Sequence, residues 1–190
     1  CMFAITTGDD NIAVGKGALN TATTADDNLA IGVDALSVNT SGTQNVAVGN
    51  FSLDANSTGG YNVAFGYDSL GANTTGNSNA AFGWYSMRLN TTGDSNTAIG
   101  NQALESNTTA DNNTAVGKKA LEANTTGENN TAVGSNTLDT CTTGARNVAV
   151  GSFAMTNSTT AEECVAIGQG ALENLTTGSQ NTAVGQNALK

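Results

Sequence analysis

Residues Asn113–Asn129 read NTAVGKKALEANTTGEN, and the rest of the chain is a set of variations on this stretch. The glycine closing its Ala-Val-Gly triplet recurs at Gly15, Gly32, Gly49, Gly66, Gly83, Gly100, Gly117, Gly134, Gly151, Gly168 and Gly185, always 17 residues apart. Eleven copies without insertion or deletion make a repeat array, and that organisation outranks any local motif. Counting Asn113 as position one, position three is alanine throughout: Ala13, Ala30, Ala47, Ala64, Ala81, Ala98, Ala115, Ala132, Ala149, Ala166 and Ala183. Position four is always large and apolar: Val14, Ile31, Val48, Phe65, Phe82, Ile99, Val116, Val133, Val150, Ile167 and Val184.

A 17-residue unit is too short for a helical hairpin repeat of about 34 residues. It is also rich in Gly, Asn and Thr, which are poor helix formers, and has no 3.6 period. It suits one coil of a solenoid. The fold class expected is all-β: a parallel β-solenoid, or β-roll, of eleven 17-residue coils. Two short strands per coil are expected, the first over Asn-x-Ala-Val-Gly, as in Asn96–Gly100 or Asn181–Gly185. The second is expected through Ala-Leu-x-x-Asn, as in Ala103–Asn107, with turn signals after each. Residues 1–190 form a single array that starts and stops mid-repeat, with Cys1 in the column otherwise held by Ala18 and Ala35. This reads as a slice of a longer fibre protein.

Consecutive strand residues point to opposite faces. The alanine column therefore fits the narrow interior of a flattened coil, and the Val/Ile/Phe column faces outward. Ile12, Leu29, Val46, Val63, Val148 and Val165, two residues earlier, join it. Eleven coils at about 4.8 Å form a strip roughly 50 Å long and about 10 Å wide, or on the order of 500 Å² of apolar surface. The largest patch on a soluble monomer is typically about 300–600 Å². A continuous column of this kind is expected to be an oligomer interface. The second strand is expected to carry the Leu/Met column (Met2, Leu19, Leu36, Leu53, Leu70, Met87, Leu104 and on to Leu189). The asparagine columns, such as Asn11, Asn28, Asn45 and Asn62, are expected to stack amide on amide from coil to coil. Gly or Ala at position fifteen marks a tight corner, and Ala25, Ala110 and Ala161 imply that it does not always need positive φ.

The pattern NTAVG-x-x-AL-x-x-NTTG at Asn113–Gly127 resembles the repeats of phage tail-fibre proteins and related bacterial surface proteins. Its Asn-x-Ala-Val-Gly core is similar, more loosely, to the head repeat of trimeric autotransporter adhesins, which is shorter and carries a serine. The resemblance covers the whole chain and implies a homotrimeric β-solenoid fibre, extracellular, on a virion or bacterial cell surface. The expected function is a non-enzymatic shaft or head segment supporting attachment to a host or surface. The alternative is an adhesin module that binds a cell-surface glycan or receptor directly.

Composition agrees with a structural role. The net charge is −10, from 16 acidic and 6 basic residues, which argues against nucleic acid or anionic membrane as partner. No run approaches the roughly 18 apolar residues of a membrane helix, so membrane insertion is not expected. With no histidine and no activating partner for a cysteine, catalysis has no candidate residues, and no cofactor is expected. The acid pairs Asp9–Asp10, Asp26–Asp27 and Glu162–Glu163 read as solvated turn residues. Calcium would need them in every coil, yet Thr43, Gly60 and Ala145 replace them elsewhere, so no metal is expected. Cys141 and Cys164 fall on different coils, roughly 9–10 Å apart, beyond disulfide reach.

Sequons occur at Asn39, Asn56, Asn73, Asn90, Asn107, Asn124, Asn157 and Asn174. The paired threonines at positions thirteen and fourteen are expected to point to opposite faces, which disfavours an ice-binding array. Phe51, Tyr67, Trp84 and Tyr85 occupy the first turn of three consecutive coils and are expected to stack as an exposed stripe, a possible ligand-contact surface.

Overall fold

The computed structural model describes residues 6–190; Cys1 and Met2 lie outside the described residues. Eleven three-residue strands follow one another: β1 Ile12–Val14, β2 Leu29–Ile31, β3 Val46–Val48, β4 Val63–Phe65, β5 Ala80–Phe82, β6 Thr97–Ile99, β7 Thr114–Val116, β8 Thr131–Val133, β9 Val148–Val150, β10 Val165–Ile167 and β11 Thr182–Val184. They form a single parallel sheet in sequence order. Register follows the repeat, Ala13 facing Ala30 and Ala30 facing Ala47. The molecule is a parallel β-solenoid of about ten turns.

Backbone pairing between coils continues beyond the strands. The Ile12 N–H donates to the Asn28 carbonyl at 2.8 Å, Gly32 to Val14 at 2.8 Å, Asp34 to Lys16 at 2.8 Å, and Leu19 to Ala35 at 3.1 Å. Nearly every part of a coil is thereby stitched to its neighbour, as a solenoid with little core per coil requires.

The second strand does not form. Residues 103–106 are a run of turns and Asn107 is not in a strand. The reason lies in the backbone: position seven (Gln102, φ 59°) and position nine (Leu104, φ 51°) are both left-handed. Two turns close there, Ala103 N–H to the Gly100 carbonyl at 3.3 Å and Asn107 N–H to the Leu104 carbonyl at 3.1 Å. The Leu/Met column still points inward, and Leu19 through Met155 are fully buried, each burial contributing about 1.5–3 kcal/mol.

Glycine at position five is required twice over. Gly117 has φ 136°, open essentially to glycine alone, and a Cβ there would meet the Gly134 carbonyl carbon of the next coil at 2.6 Å. The second corner turns at position seventeen, with Asp27 at φ 56° and Asn129 at φ 60°. Position fifteen needs no positive φ, in keeping with Ala25, Ala110 and Ala161.

The interior is one residue deep. From Ala30 to Ala166 the position-three alanines are fully buried, Ala183 is 4% exposed and Ala13 is half-buried. With the position-eight and position-nine side chains they form one continuous core.

Two asparagine ladders run beside this core. In the first, Asn28 Oδ1 accepts from the Asn45 backbone N–H at 2.9 Å and from Asn45 Nδ2 at 3.1 Å, while Asn28 Nδ2 donates to the Gly42 carbonyl at 2.9 Å. In the second, Asn56, Asn73, Asn90, Asn107 and Asn124 each donate to the preceding Asn Oδ1 at 2.8–3.1 Å. Buried amides are thus paired rather than stranded, Asn124 Oδ1 excepted; a stranded group costs about 1–3 kcal/mol.

Candidate functional site

The outer face of the sheet is the first feature a partner would meet. Strand residues at positions two and four project from it, because position three turns inward. Val14 is 56% exposed and Val184 68%; Ile31, Phe65, Phe82, Ile99, Val133 and Ile167 are each more than a third exposed. Val48, Val116 and Val150 are half-buried. Phe65 and Phe82 lie in parallel, ring centroids 5.4 Å apart and planes 7° apart. No residue at position two or four carries a charge in any coil. The result is an uncharged ribbon along the whole sheet, apolar at position four throughout and at position two except where Thr97, Thr114, Thr131 and Thr182 stand.

Beside the ribbon, just past the position-five glycine, sits the aromatic cluster. Phe51 meets Tyr67 edge-on at 5.6 Å; Tyr67 meets Trp84 at 6.2 Å and Tyr85 at 5.7 Å, also edge-on; Trp84 and Tyr85 are tilted 34° at 5.3 Å. These edge-to-face contacts add about 0.5–1.5 kcal/mol per pair beyond burial. Trp84 and Tyr85 are neighbours in sequence, yet both rings join the cluster, because Tyr85 at φ 59° breaks strand alternation. Trp84, Tyr85, Asn101 and Gln102 line a shallow pocket of about 200 Å³. The sequence pointed to the four aromatics; it did not point to Asn101 and Gln102, which stand one coil further along the same two columns.

Behind the pocket the charges are paired. Arg88 lies 4.9 Å over the Tyr85 ring and bonds Glu105 through Nη2 at 3.0 Å and Nε at 3.1 Å. Glu105 Oε2 accepts from Gln102 Nε2 at 2.7 Å. Two coils before Arg88, burial together with the Asp68 charge raises the Asp54 carboxyl to about 6, and burial also raises Asp68 against the pull of Arg88.

The acidic turn residues have a structural use. Asp26 Oδ1 accepts from the Asp9 N–H at 2.9 Å, Asp94 Oδ1 from Asn77 at 2.6 Å, and Asp111 Oδ1 from Asp94 at 2.7 Å. Position sixteen therefore serves as a coil-to-coil acceptor. Among the described residues no group of three or more His, Cys, Asp or Glu is arranged to hold a metal ion. Cys141 and Cys164 are free and buried, and burial pushes the Cys141 thiol up to about 11, which makes it a poor nucleophile.

The threonine pair does not split between two faces, because the segment is turn rather than strand. Position thirteen is half-buried except at Thr6, Thr40 and Thr176, and its hydroxyl bonds the next coil, as Thr74 Oγ1 does to the Thr91 carbonyl at 3.0 Å, while position fourteen is exposed. Six of the sequon asparagines, Asn39 to Asn124, are buried in the second ladder; Asn157 and Asn174 are exposed.

No helix among the described residues is long and apolar enough to cross a membrane. Compared with protein-family models, curated proteins and solved structures, the chain matches none.

Proposed function

We propose that this solenoid is a non-enzymatic shaft or head segment of an extracellular fibre, in which copies of the chain associate along their length, as a homotrimer, to support attachment to a host or surface. One observation carries the reading: a parallel sheet whose outer face is uncharged in every coil and carries Val, Ile or Phe at position four throughout. All-parallel sheets occur almost only with both faces covered. Here the coil covers the inner face, and a second chain is the natural cover for the outer one.

A strip of roughly 500 Å² per chain lies at the upper end of the largest apolar patch, about 300–600 Å², on a soluble monomer, which favours its being covered. The resemblance of the repeat to tail-fibre and adhesin sequences agrees with a trimer. Function in such a segment lies in length, stiffness and resistance to unfolding.

The test is solution mass with a face variant beside it. Ile99→Glu combined with Val116→Glu places two charges on the ribbon without touching the core. The native chain should run as an elongated trimer, and the variant should keep its β circular dichroism but fall to monomer. A variant that remained trimeric would show that the ribbon is not the interface.

A second reading has its own observation. The aromatic cluster with its pocket is local to coils three to six, whereas a shaft needs only the repeat. It supports a direct adhesin role in which this segment itself contacts a glycan or receptor.

A further inference from the structure

We infer that Trp84, Tyr85, Asn101 and Gln102 form a subsite for one uncharged sugar ring of a surface glycan. The inference rests on the second reading above and gives it a site and a ligand class.

The pocket combines what a pyranose needs. Its C–H faces pack on aromatic rings, and Trp84 is 55% exposed beside Tyr85, tilted 34° to it. Its hydroxyls need hydrogen-bond partners, and two amides stand at the rim. Asn101 Nδ2 donates to the Trp84 carbonyl at 3.3 Å, and Gln102 Nε2 donates to Glu105 at 2.7 Å. Those bonds turn the two NH₂ groups toward the protein and leave Oδ1 and Oε1 as acceptors. Acceptors without an internal partner favour a hydroxyl-rich ligand and disfavour a carboxylate.

Charge points the same way. No charged residue lines the pocket, and Arg88 is held by Glu105 and the Tyr85 ring. Exposed Lys118 lies one coil beyond Asn101 and does not line it. A volume of about 200 Å³ is below the roughly 300–1,000 Å³ of drug-sized ligand sites, so the subsite takes one ring at a time. Edge-on Tyr67, backed by Phe51, holds the platform rigid before any ligand arrives.

Trp84 is the only tryptophan in the chain, so its emission reports on this pocket alone. The experiment titrates the assembled protein with neutral sugars (glucose, galactose, mannose, N-acetylglucosamine and their short oligomers) and with sialylated and uronic-acid oligosaccharides. A glycan array is run in parallel on the native protein, Asn101→Ala/Gln102→Ala, Trp84→Ala and Phe153→Ala. Phe153 fills the position of Tyr85 four coils away and serves as the control.

The expected result is a saturable shift in Trp84 emission with neutral sugars and at least about tenfold weaker binding in the Trp84 and Asn101/Gln102 variants, with Phe153→Ala unchanged. Array binding without a Trp84 response, or unaltered in the Asn101/Gln102 variant, overturns the subsite and leaves the adhesin reading standing. Binding confined to acidic glycans overturns the ligand class. No binding to any glycan overturns both. A Trp84→Ala protein that no longer assembles assigns the cluster to the chain–chain interface and overturns the subsite.

Discussion

Leu104 sits at φ 51°, and so, within a few degrees, does every residue of its column, from Leu19 at 47° to Leu189 at 51°. A β-branched side chain is a steric outlier there, while Leu and Met branch too far out to clash. This explains a division that is visible in the sequence. Position nine is only Leu or Met, position four only Val, Ile or Phe, and positions seven and seventeen contain no Val, Ile or Thr although Thr abounds elsewhere. Leu104→Ile should therefore cost about 1–3 kcal/mol despite equal volume, whereas Leu104→Met should cost less than about 1.5 kcal/mol. Denaturant unfolding of the two variants checks this; equal stabilities would contradict it.

Asp54 allows a pH test at the same scale. Its carboxyl is raised to about 6, first by burial and then by Asp68 and Asp34, so the folded chain holds a proton that the unfolded chain releases near 4. Stability tied to this group is then fully present below about 4 and is lost as pH rises toward 6. Asp54→Asn should raise the melting temperature at pH 7 and have little effect at pH 4. A gain of equal size at both values would show that ionisation is not the cause.

At the scale of the coil, the first strand is legible because Asn-x-Ala-Val-Gly alternates inward alanine with outward apolar residues. The second segment is not, because Ala-Leu-x-x-Asn also has a two-residue spacing while the backbone bends at positions seven and nine. Period alone cannot separate a strand from a run of left-handed turns; the exclusion of β-branched residues can. The asparagine ladders are legible as columns, and so are their breaks.

Cys141 ends the second ladder, and Ser158 and Leu175 follow it in the same column. On one side Asn124 Oδ1 is left without a partner, and on the other so is Ser158 Oγ. Cys141→Asn would place an Nδ2 donor against Asn124 and an Oδ1 acceptor against the Ser158 hydroxyl, in a setting where six other coils already hold asparagine. The variant should be more stable by about 1–2 kcal/mol, read as a higher unfolding midpoint. An unchanged or lower midpoint would mean that neither orphan atom is satisfied by the amide.

At the scale of the whole molecule, the repeat decides nearly everything about the rod and little about its local specialisation. A period of 17 residues sets the stacking axis, and the two outward columns set the ribbon. The pocket at Trp84 depends on neighbours in adjacent coils, Asn101 and Gln102, whose residue types are ordinary for their variable turn. Only their placement beside exposed rings gives them a role, and placement needs the fold.

The proposed fibre has its ribbon covered by other copies of this chain. The most direct measurement is the mass of the native protein in solution by light scattering coupled to size exclusion, with hydrodynamic shape from the same run. Three copies of a 19.0 kDa chain predict about 57 kDa in an elongated particle. A stable monomer at 19.0 kDa, with the ribbon open to solvent, would contradict the account.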